Sequence, residues 1–132
     1  MIECNAAIIQ TYNYPNLGRL QSYKHTMEAD MDRIKHLNDL VEFPKNGILS
    51  KTIHEVPSGE ADLFMLPKGG KISGHTSSRD ATVMVVQGEG EFMLGEEWHK
   101  VKAGDWFYME AGLIHALSAT EDMAILLTLF GK

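Results

Sequence analysis

The stretch 73–92, SGHTSSRDATVMVVQGEGEF, decides how this chain is read. A histidine, His75, precedes a run of β-formers, and glycines at 88 and 90 punctuate the run's end. Val83 and Val85 are apolar, and so are Met84 and Val86 beside them. Side chains along a strand alternate between faces, so this strand is buried on both. One sheet over water cannot provide that. Two packed sheets, or a barrel with a partner, can. GEGEF reads as a hairpin turn.

The same texture extends outward from this stretch. Strands are expected at 48–55, 61–66, 81–87, 90–94, 97–101, 105–109, 115–119 and 123–130. Turn-formers separate them: PSG, PKGG, GEG, LGEE, KAGD and EAGL. Short strands at close spacing with such separators are the mark of an all-β sandwich or barrel. Residues 1–47 differ, being polar, mixed and weakly patterned. Within them TMEADMDRIKHL, 26–37, carries Met27, Met31, Ile34 and Leu37 at helical spacing, with Thr26 placed as a cap. LNDLVEF reads as a further turn of helix before Pro44, and Asn46-Gly47 as the turn into the β region. The expected division is an N-terminal arm, 1–47, and a barrel domain, 48–132.

A chain of 132 residues suits one domain with a core of its own. The single cysteine, Cys4, rules out an internal disulfide and suits a reducing cytoplasm. The formal net charge of −6, with no cluster of lysine or arginine, argues against nucleic-acid binding. No apolar run is long enough to span a bilayer, and the opening MIECNAAIIQ has an acidic residue where a signal peptide would be basic. A cytoplasmic protein is expected.

Two glycine–histidine spacings single out the candidate site. Gly69 precedes His75 by five intervening residues, and Gly88 follows; in KAGDWFYMEAGLIH, Gly104, Gly112 and His115 are regularly placed. From about 48 to the end, the chain resembles the cupin family, and these residues fall on its two core motifs. The resemblance implies an all-β double-stranded β-helix, a jelly-roll barrel with its pocket between two sheets. It also implies a dimer made by extending sheets across subunits, with the N-terminal arm as a natural device for covering strand edges.

In many cupins a divalent ion is held by two histidines and a glutamate of the first motif and by the histidine of the second. Here His75 and His115 match two of those ligands. Ser77 stands at the second histidine, Ala81 at the glutamate, Glu110 at the second motif's proline and Ala119 at its asparagine. Two imidazoles alone hold an ion weakly, and the missing carboxylate removes the charge that offsets a dication. Asp80, one residue before the glutamate position, is a substitute candidate, although a one-residue offset turns a strand side chain to the opposite face unless a bulge intervenes. His54 and His99 lack motif support and are read as surface or edge residues, as are His25 and His36.

Counting in twos from His115 makes Leu117 inward, and from Ala81 makes Val83 and Val85 inward. With His75 and Ser77 they outline an apolar pocket carrying a few polar groups, the usual character of a small-molecule site. Two functions follow as expectations. In the first, the chain binds a small molecule at His75 and His115, weakly or not metallated, as a sensor or carrier. In the second, it is an enzyme of oxygenase, isomerase or decarboxylase type. His75, His115 and Asp80 would then hold zinc, iron, manganese or nickel, with open positions for substrate.

Overall fold

The computed structural model describes residues 9–11 and 33–132. In chain order these form β1 (Ile9–Thr11), α1 (Leu37–Leu40), β2 (Ile48–Val56), β3 (Gly59–Leu66), β4 (Lys71–His75), β5 (Ala81–Gln87), β6 (Glu89–Leu94), β7 (Glu97–Lys102), β8 (Trp106–Met109), β9 (His115–Ala119) and β10 (Met123–Phe130). They build two sheets, one of six strands in the order β1-β2-β3-β10-β5-β8 and one of four in the order β4-β9-β6-β7. Every pairing is antiparallel except that of β1 with β2. The chain is thus nearly all β and forms the expected jelly roll.

The core lies between the sheets. Across the larger sheet the inward residues form rows fixed by register: Phe64–Ile125–Val85, then Asp62–Leu127–Val83–Phe107, then Leu129–Ala81–Met109. The smaller sheet answers with Ile72, Leu117 and Phe92, which lie side by side. These side chains belong to one buried cluster, Asp62 excepted, with Phe107 packed against it. Burial of this apolar area is the main favourable term of the fold.

The outer face of the larger sheet explains why β5 is apolar on both sides. A second cluster of Leu63, Met65 and Ala124 lies there, and Leu40, Val41, Phe43 and Val86 pack against it. The segment just before β2 therefore covers part of that face. Lys51, 7% exposed, pins the segment by donating from Nζ to the Leu40 carbonyl at 2.8 Å and pairing with Glu42 at 2.8 Å.

Three expectations change. The helix expected over 26–37 falls largely outside the described residues, and of its described part only Leu37 is helical, in the further turn expected at LNDLVEF. Residues 33–36 carry no helix, and α1 is a single turn whose N-cap, His36, is extended and makes no side-chain cap bond. Too short to stand on its own hydrogen bonds, that turn is held by the packing of Leu40. GEGEF is not a hairpin, because β5 and β6 lie in different sheets. Gly88 marks the corner where the chain passes between them. Its φ of 82° suits glycine, and a Cβ there would run into the backbone oxygen of Asp122. Finally, Lys71–His75 is a strand, although Gly69, Gly70 and Gly74 disguise it as loop.

Candidate functional site

His75 ends β4 and His115 begins β9, and the two are register partners. A bulge makes this possible. Between the pairs Ile72↔Leu117 and His75↔His115 the register shifts, because β4 spends three residues where β9 spends two. In an unbroken strand Ile72 inward would turn His75 outward. The bulge at Ser73 and Gly74 brings the imidazole onto the same face as Ile72.

The two rings meet edge to face, with centroids 4.2 Å apart and planes at 65°. Each is oriented by the same local contact. His75 Nδ1 lies 2.8 Å from the Ser73 carbonyl, and His115 Nδ1 lies 2.8 Å from the Leu113 carbonyl. A carbonyl only accepts, so each Nδ1 is the donor and the lone pair of the neutral ring sits on Nε2. His115 is 5% exposed. Burial lowers its pKa below the usual 6.5; the Leu113 carbonyl opposes that shift and His75 adds to it. The His115 ring is therefore neutral at pH 7.

The rings close one side of a small cavity between the sheets. Its other walls are apolar: Phe64, Ile125 and Leu127 from β3 and β10, Val83 and Met109 from β5 and β8, and Ile72, Phe92, Ala116 and Leu117 from the smaller sheet. The cavity's volume is about 30 Å³, room for roughly two waters. A compact neutral molecule with one polar end matches that wall; a free ion with no counter-charge does not.

Of the residues singled out in the sequence, His75, Val83, His115 and Leu117 line the cavity, and Val85 and Ser77 do not. Val85, 1% exposed, is packed into the surrounding core. Ser77 is buried, but its hydroxyl closes a local turn, accepting from Arg79 N at 3.0 Å and donating to Arg79 O at 3.1 Å. Its carbonyl accepts from Gly112 N at 2.8 Å, which ties the loop after His75 to the loop before His115. Asp80 is occupied elsewhere: Oδ1 accepts from Ala111 N at 2.8 Å and from the Tyr108 hydroxyl at 3.3 Å. Tyr108 lies on the outer face, so no bulge returns Asp80 to the cavity. His54 and His99 are exposed on β2 and β7, away from it. Sequence reasoning does not single out Met109, Phe92, Ile72, Ile125 or Leu127, which also line the cavity. Counting forward by two along β8 from the inward Phe107 reaches Met109.

The donor set is incomplete for a carboxylate-held dication. Ala81 offers a methyl group where the glutamate would stand, and Ser77 and Asp80 are bonded elsewhere. Among the described residues no three His, Cys, Asp or Glu side chains gather closely enough to hold a metal.

Known proteins agree with this architecture. A conserved protein of unknown function from Streptococcus pyogenes superposes with a TM-score of 0.68 at 30% identity, covering 76% of this chain and 88% of that one. A cupin superfamily protein from Desulfitobacterium hafniense superposes with a TM-score of 0.70 at 20% identity, covering 77% and 94%. An uncharacterized protein of Aquifex aeolicus is 27% identical over 100 residues, 74% of this chain and 82% of its own. Residues 62–130, just over half of the chain, match the Cupin domain family. With two sheets closing on a cavity that holds the motif histidines, and a sequence that matches over the same strands, the chain belongs to the cupin family.

Proposed function

We propose that this cupin binds a compact small molecule in the interior cavity, with the ligand's polar end against His75 and His115, and works without a tightly held divalent metal. The observation that carries this reading is the pair of abutting imidazoles set into an otherwise apolar wall. Each ring is pre-oriented by a backbone carbonyl, so little ordering is needed when a ligand arrives. With Nε2 as acceptor on a neutral His115, the ligand's polar end is a hydrogen-bond donor such as a hydroxyl. The reading makes the protein a sensor or carrier in the cytoplasm, acting as a homodimer.

The test is a thermal-shift titration of the full chain with the smallest aliphatic alcohols, alongside metal analysis of protein purified without added metal. A ligand present at a hundred times its Kd stabilises the fold by about 2.7 kcal/mol, a rise of several degrees in Tm. That rise should disappear in a His75→Ala, His115→Ala double variant while the fold persists. One transition-metal ion per chain, lost in the same variant, would overturn this reading and favour the metal-dependent enzyme.

A further inference from the structure

The most buried carboxyl of the described residues takes no part in the cavity. Asp62 is 8% exposed. It stands on the inner face of the larger sheet, directly between Thr52 of β2 and Leu127 of β10. Leu127 and, one strand further, Val83 are cavity wall. Asp62 Oδ1 is buried and has no hydrogen-bond partner. An ionised carboxylate with an orphaned oxygen in such a wall is among the costliest arrangements a fold can hold.

Of the groups facing it only the Thr52 hydroxyl favours a negative charge, and burial and the neighbouring carboxylates outweigh it. On its own strand Glu60 shares its face and contributes a second carboxylate. β2 brings the Thr52 hydroxyl and another carboxylate, Glu55, and β10 brings only Leu127. The nearby cation, Arg79, is engaged beyond it. It pairs with Glu60 at 3.2 Å and donates to the carbonyls of Phe130 at 3.3 Å and Gly131 at 2.6 Å. Lys51 serves the opposite face, because its register partner Leu63 belongs to the outer cluster.

We propose that Asp62 and Glu60 form a built-in proton switch, in which Asp62 is held as a neutral acid hydrogen-bonded to the Glu60 carboxylate, and the inner wall loosens when that proton leaves. Burial first, then the hydrogen bond to Glu60, pushes the Asp62 carboxyl up to about 7 from the ordinary 3.8. The folded value is the higher one. The stabilising contribution is therefore complete below 3.8 and is lost as pH rises through about 7. The switch operates near neutrality, where an ordinary aspartate has long been ionised. It requires no ligand and stands independently of the cavity's function.

The experiment is a carboxyl carbon-13 NMR titration of the full chain, with Tm followed from about pH 5 to about pH 8. The Asp62 resonance should titrate near neutrality, and the Tm of wild type relative to Asp62→Asn should fall as pH rises across the range. Asp62→Asn keeps the shape and neutrality of the protonated acid, so its Tm profile should be flatter. Glu60→Gln should move the Asp62 midpoint downward yet leave it above the ordinary value, because burial remains. An Asp62 resonance titrating in the ordinary aspartate range overturns the proposal, as does an Asp62→Asn profile that tracks wild type. The wild-type titration decides the matter even if a variant fails to fold.

Discussion

At the scale of single residues, chemistry here depends on what each polar side chain already touches. Ser77 and Asp80 have the right chemistry for a site and the wrong partners: one closes its own turn, and the other grips the loop before His115. His115 is a buried base in an apolar setting, and its lowered pKa has a consequence for stability. The unfolded chain takes up a proton as pH falls through 6.5, and the folded chain resists until lower pH. Stability should therefore decline as pH drops below about 6.5, by at most about 1.4 kcal/mol per pH unit from this group. Chemical denaturation of wild type and His115→Gln at two pH values checks it: the variant should lose that part of the slope. Equal slopes would mean that the ring titrates as it does in water.

At the scale of elements, two irregularities do what regular strands cannot. The bulge in β4 redirects His75, and the corner at Gly88 moves the chain between sheets. Gly88 combines a φ of 82° with a backbone oxygen where a Cβ would stand. Replacing it with alanine adds conformational strain and forces the start of β10 away, so Gly88→Ala should cost about 2–4 kcal/mol. Urea titration is the check, and a loss under 0.5 kcal/mol, roughly the level of an ordinary surface change, would contradict the geometry. The strand pattern of residues 48–130 was legible because turn glycines and alternating apolar residues carry it. The strand 71–75 was not, because a glycine-rich stretch with one bulge has no readable period.

At the scale of the molecule, the described residues leave apolar surface exposed on the outer face of the larger sheet. Trp106 is 62% exposed, Tyr108 49% and Phe130 48%, and Trp106 continues the row of Met84 and Leu126. The segment at residues 40–43 covers another part of that face. This remainder supports the homodimer put forward above, since a specific interface removes about 800 Å² per partner from water. Sedimentation at micromolar concentration should give a dimer for wild type and a monomer for Trp106→Glu. A wild-type monomer over the whole range would rule out this surface as a dimer face.

Sequence alone determined that this is a two-layer β fold and, through the motif spacing, that His75 and His115 come together. Strand alternation and turn spacing are local properties, and the glycine–histidine motif preserves its spacing along the chain. Only the tertiary structure decided which way the side chains face and what they bind. Whether His75 points inward depends on a register shift against β9. Whether Asp80 and Ser77 are available depends on backbone groups some thirty residues away or within the same turn. Whether Asp62 can keep its proton depends on three strands packing around it. Apart from the turn that Ser77 closes on itself, the partners come from other strands and loops, beyond the reach of a local sequence pattern.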